Sequence, residues 1–171
     1  MSSLSLPEIA GREQLALLEE ALVLVAEHSF LSYAASCDLV RFAELHDAMV
    51  GASAESPRRW LRASVAFRGE SSGAVAIGVP EPLALHLFAS FAGGDPDGLV
   101  TDDQLRDTVG ELTNMIAGRW LMLAFHGRPF ELVPPAVSWQ DGAVGGWVPA
   151  DTHIMHACIQ DMPMLIGVME S

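Results

Sequence analysis

Lysine is absent from this 171-residue chain, whose nine basic residues are all arginines. That absence removes the lysine of a phosphate-binding loop, the Schiff-base lysine and the kinase-type lysine from consideration. Positive charge is scarce altogether: 22 Asp and Glu leave a formal net charge of −13 and a pI near 4.6. Nucleic acid needs basic surface, so it is excluded as a partner class. Any phosphate this protein handles must find part of its counter-charge on a partner. Two distant cysteines, Cys37 and Cys158, make no disulfide framework and point to a reducing compartment. Long apolar runs are missing too. The longest, around Ala21 to Ala26, is bounded by Glu19, Glu20 and Glu27 and falls short of the roughly 18 residues that span a bilayer. Met1-Ser2-Ser3-Leu4 has no basic patch ahead of an apolar stretch, so no secretory signal and no membrane partner are expected, and the expected location is the cytoplasm. Asparagine occurs once, at position 114.

What is present is a folding chain. Half of it is hydrophobic, and its length is that of one ordinary domain, so residues 1–171 are expected to form a single unit with a real core. Residues 8–28 predict a helix, with Leu15, Leu18, Ala21, Leu22 and Val25 at helical spacing and Pro7 just before it. Residues 30–50 carry only short apolar pieces and predict no definite element, and Ser53 to Pro57 predicts a loop. Trp60 to Arg68 alternates, with Leu61, Ser64 and Ala66 interleaved by Trp60, Arg62 and Val65. After a turn-rich Gly69–Gly73, the run Ala74 to Val79 completes a hairpin. Pro82 to Ala92 predicts a short helix closed by the glycine-rich turn 93–98. Thr101 is a good N-cap, with Asp102 and Asp103 in the first turn of a helix over about 101–125 that Gly127 ends. The remainder predicts strands at 130–133, 135–139, 153–160 and 164–169. This order implies an α+β domain with a largely antiparallel sheet and long helices packed on one face.

The third helix carries the chemistry. At about 100° per residue, Asp107, Glu111, Asn114 and Gly118 fall within a stripe of roughly 60°. Leu105, Val109, Leu112, Ile116 and Leu123 form a second stripe nearly opposite, which should face the core. Two carboxylates and a carboxamide therefore line up outward. Gly110 and Gly118 each cost a helix interior about 1 kcal/mol relative to Ala, and two such residues in one helix call for a reason. A polar stripe of this kind is most often a solvated face.

The run Asp107-x-x-x-Glu111-x-x-Asn114, extended by Met115-Ile116-Ala117-Gly118, resembles the signature of the CheC/CheX phosphatases. The resemblance continues upstream through Arg68–Gly73 and Pro80-Glu81-Pro82, and downstream through Leu132–Val137 ahead of Gly142. It is strongest over 58–169 and poor over residues 1–50. With no second Glu-x-x-Asn in the chain, the pattern is similar to the single-motif CheX form, which is a homodimer. The resemblance implies a CheC-like fold and a phosphatase acting on the aspartyl phosphate of a CheY-type receiver domain, the partner supplying the phospho-aspartate, a Mg2+ ion and a lysine. It implies no intrinsic cofactor. Under it, Asn114 and Glu111 are the catalytic pair, the Asn114 carboxamide holding a water in line with phosphorus. Asp107, Glu111, Asn114 and Gly118 form the partner-binding face. Two alternatives share the fold: a receiver-binding module that hydrolyses nothing, and a structural component similar to flagellar switch proteins.

Elsewhere the signals are bland. His153, His156 and Cys158 invite a metal reading, but on a strand His153 points away from the other two, so no metal is expected. The turn 93–98 has no phosphate-loop companions, and no Gly-x-Ser-x-Gly elbow is present.

Overall fold

The computed structural model describes residues 6–41, 59–93, 98–141 and 153–170. The expected loop at Ser53–Pro57, the centre of the glycine-rich turn and Gly142 lie outside the described residues, as does the side chain of Cys37. In chain order the elements are α1 (Leu6–Ser29), β1 (Ala34–Arg41), β2 (Arg59–Arg68), β3 (Ser72–Pro80), α2 (Glu81–Ala92), α3 (Asp102–Ala124), β4 (Glu131–Leu132), β5 (Ala136–Asp141), β6 (His153–Ile159) and β7 (Met162–Glu170). The strands form one seven-stranded sheet in the order β1-β6-β7-β3-β2-β4, with β5 also paired to β2. Every pairing is antiparallel. The fold is α+β, as the element order implied.

The core lies between the sheet and the helices. Leu61, Ala63, Val65 and Phe67 of β2, Val75, Ile77 and Val79 of β3, and Met164 and Ile166 of β7 join the buried faces of α1, α2 and α3 in one cluster. The face assignment of β2 differs from the sequence expectation. Leu61 and Val65 share the core face, while Ser64 and Ala66 lie with Trp60 and Arg62 on the other, as a strict two-residue period requires. Trp120 of α3 is fully buried, stacks edge-on to Phe67 with ring centroids 5.5 Å apart, and donates from its indole N–H to the Gln14 carbonyl at 3.2 Å. That bond ties α3 to α1.

The edge of the sheet beyond β2 is broken in an informative way. Phe67 pairs with Leu132 and Ser64 with Ala136, so three residues, 133–135, span what Val65 and Ala66 span on β2. Val133 still donates to the Ala66 carbonyl at 2.9 Å. Pro134 and Pro135 have no N–H to give, and prolines in sheets are confined to such edges and bulges. The strand expected to begin at Pro135 therefore begins one residue later. Among the described residues no helix is long and apolar enough to cross a membrane.

Candidate functional site

α3 is fixed at both ends before it presents anything. At its start Thr101 Oγ1 accepts from the Gln104 N–H at 3.2 Å and Gln104 Oε1 accepts from the Thr101 N–H at 2.9 Å, a reciprocal cap. Arg59 of β2 reinforces it, pairing with Asp102 at 2.9 Å and Glu81 at 3.1 Å, with its guanidinium 3.9 Å from the Trp139 ring centre. The hydrogen bond to Asp102, with the charges of Glu81, Asp102 and Asp141 around it, raises the Arg59 pKa above its ordinary value. One arginine thus joins the starts of α2 and α3 to β5. At the far end Phe125 N–H bonds the Leu121 carbonyl at 3.0 Å and Gly127 N–H the Met122 carbonyl at 3.1 Å, the positive φ of Gly127 being one that glycine adopts freely.

Between these ends the helix divides sharply. Leu105, Val109, Leu112 and Ile116 are buried in the core. The polar residues on buried positions satisfy themselves locally: Thr108 Oγ1 donates to the Gln104 carbonyl at 2.8 Å and Thr113 Oγ1 to the Val109 carbonyl at 2.6 Å. On the outward side Asp107 and Glu111 are exposed, and Asn114 and Gly118 are half-buried. Among the described residues, the side chains of Asp107, Glu111 and Asn114 make no hydrogen bond or ion pair. A fixed helix therefore displays two carboxylates and a carboxamide along one line with their bonding capacity free.

The two mid-helix glycines differ. Neither has a positive φ, so backbone conformation does not require them. A Cβ on Gly110 would lie 3.3 Å from Val137 Cγ2 and 3.4 Å from Pro135 Cβ, closer than side chains ordinarily pack. A Cβ on Gly118 would meet only Leu132 Cδ1, at an ordinary 3.8 Å. Gly110 is thus explained within the chain by a close seat on the bulged edge strand, and Gly118 is not. The sequence flagged Gly110 as unusual but could not supply its partners, which lie some two dozen residues on. The arginine brace at Arg59 was likewise unanticipated.

Among the described residues, no three His, Cys, Asp or Glu side chains are grouped to hold a metal ion. His156 and Cys158 lie on β6, and the side chain of His153 is outside the described set.

Comparison with known proteins gives a consistent answer. Residues 61–143, which hold the hairpin, α2, α3 and the bulged edge, match the family model described as the chemotaxis phosphatase CheX. No curated protein matches the chain by sequence. The crystal structure of the chemotaxis protein CheX from Vibrio vulnificus is similar with a TM-score of 0.67 at 21% identity, over 93% of this chain and 97% of that one. CheX in the CheX–CheY–BeF3–Mg2+ complex from Borrelia burgdorferi gives 0.62 at 14% identity, over 92% and 97%. FliY from Thermotoga maritima gives 0.63 at 11% identity, over 99% and 93%. At these identities the structural likenesses speak for fold. They extend over α1 and β1, where the sequence resemblance was poor.

Proposed function

We propose that this chain, which belongs to the CheC/CheX family, is a cytoplasmic phosphatase for the aspartyl phosphate of a CheY-type receiver domain. The observation that carries the reading is the line of unpartnered Asp107, Glu111 and Asn114 on the outward face of a helix whose two ends are tied by hydrogen bonds. A relative of the same fold is seen complexed with CheY, BeF3 and Mg2+.

The chemistry asks little of the protein. An acyl phosphate is already activated, so holding water in line with phosphorus supplies much of the rate. Asn114 is the residue suited to that, since its amide both donates and accepts and can fix a water by its oxygen while its N–H2 holds a phosphoryl oxygen. The water oxygen forms the new bond to phosphorus as the bond to the aspartate oxygen breaks. The products are the free carboxylate and inorganic phosphate, which carries away both protons of the water. Glu111 pairs with a lysine of the receiver, setting the docking register. Asp107 adds a further contact, and Gly118 leaves room for the partner's surface. The metal ion belongs to the receiver, where it neutralises phosphoryl charge, and the lack of lysine here fits a site completed by the partner. The chain acts as a homodimer, which solution scattering would check.

The test is phosphate release from a phosphorylated receiver with and without the protein. Acceleration above the receiver's own decay is expected. Binding without acceleration would select the non-catalytic module instead.

A further inference from the structure

Gly110 has its packing reason within the chain and adjoins the site. It precedes Glu111 directly and lies one helical turn before Asn114. Along this flank Gly110, Asn114 and Gly118 recur every four residues. The helix end of the flank at Gly110 rests on Pro135 and Val137, and the end at Gly118 faces Leu132. Helix and edge strand therefore run in opposite senses, and Asn114 lies midway in sequence between the two glycines, while Pro134 and Pro135 interrupt the edge strand's ladder with β2. Bulges re-aim what packs on them, and a proline-borne bulge is a stiff one.

We infer that the seat of Gly110 on Pro135 and Val137 sets the height and rotation of α3, and so the positions of Asn114 and Glu111 toward the receiver. Gly110 is a positioning residue. This rests on the phosphatase reading and goes beyond it by naming what holds the pair in place. A side chain at 110 meets Val137 at 3.3 Å and Pro135 at 3.4 Å, and the helix yields to it by shifting a few tenths of an ångström or by turning. Phosphoryl transfer that depends on an in-line water loses rate steeply on such displacements. A residue that merely filled space would affect stability and leave turnover alone.

The experiment compares wild type, Gly110→Ala and the double variant Gly110→Ala/Val137→Ala, with thermal unfolding and full saturation curves for phosphate release. Gly110→Ala should remain folded and lose about tenfold in kcat with a smaller change in half-saturation. The double variant, in which the nearest obstructing methyl is gone, should recover most of that loss. Unchanged kcat in Gly110→Ala, or a loss the double variant does not relieve, would overturn the inference. If wild type itself releases no phosphate, the phosphatase reading fails on its own account. The inference is then decided by binding to a receiver saturated with beryllofluoride and Mg2+. Weaker binding by Gly110→Ala, relieved in the double variant, supports it, and equal binding refutes it.

Discussion

The two long helices, α1 of 24 residues and α3 of 23, pack against each other on the same face of the sheet, and each buries one side and wets the other. The wet side of α1 carries Glu13, Glu20 and Glu27, all exposed. Among the described residues these carboxylates have no ion-pair partner either, so an unpaired acidic stripe does not by itself make a site. What α3 has in addition is a carboxamide in the stripe, a reciprocal cap with an arginine brace at its start, and glycines on the flank that meets the edge strand. A solvated face tolerates any polar residue. A docking face needs particular groups held at a particular height, and among the described residues the cap, the brace and the close seat of Gly110 on the edge strand are features of α3.

Substitutions on the two helices sharpen or break this contrast. The largest effect is expected for Asn114→Ala, which should lower phosphate release by about 10²-fold or more by losing the positioned water. Its unfolding temperature should barely change, since a half-exposed helix position accepts Ala well. Glu111→Ala should raise the half-saturating receiver concentration by about tenfold, equivalent to about 1.4 kcal/mol of lost contact, as read from titrations at fixed ionic strength. Gly118→Ala is expected to raise thermal stability by about 1 kcal/mol, because the structure has room for the methyl, while weakening receiver binding a few-fold by holding the partner off. A stabilised variant with unaltered affinity would make Gly118 a bystander. Smallest of all, Glu13→Gln and Glu20→Gln on α1 should leave turnover within about twofold and stability within about 0.5 kcal/mol. A larger loss of activity there would give α1 a share in the site and break the comparison.

Much of this was legible in the sequence where the determinants are local. The cap at Thr101, the hairpin of β2 and β3, and the outward line of 107, 111 and 114 follow from periodicity and short-range chemistry. β1 did not declare itself, because Ser36, Cys37 and Asp38 blur its alternation and its register with β6 shifts between Ser36 and Leu39. The two faces of β2 separate only when alternation is followed from Leu61 through Ala63 and Val65 to Phe67, since a slip of one residue moves a side chain to the opposite face. The use of Gly110 depends on Pro135 and Val137, and the brace at Arg59 on Glu81 and Asp102. Contacts of that range are created by the fold, and no local pattern announces them. The two glycines make the point within one helix: both looked equally costly from sequence, and packing separates them.

The proposed division of labour on one helix face has Asn114 acting on the reaction and Glu111 on the encounter. Full saturation curves for phosphate release from one phosphorylated receiver, recorded for wild type, Asn114→Ala and Glu111→Ala, test it most directly. The account predicts that Glu111→Ala climbs toward the wild-type plateau at high receiver concentration, while Asn114→Ala levels off about 10²-fold lower at a similar half-saturation. An Asn114→Ala plateau equal to that of wild type would contradict it.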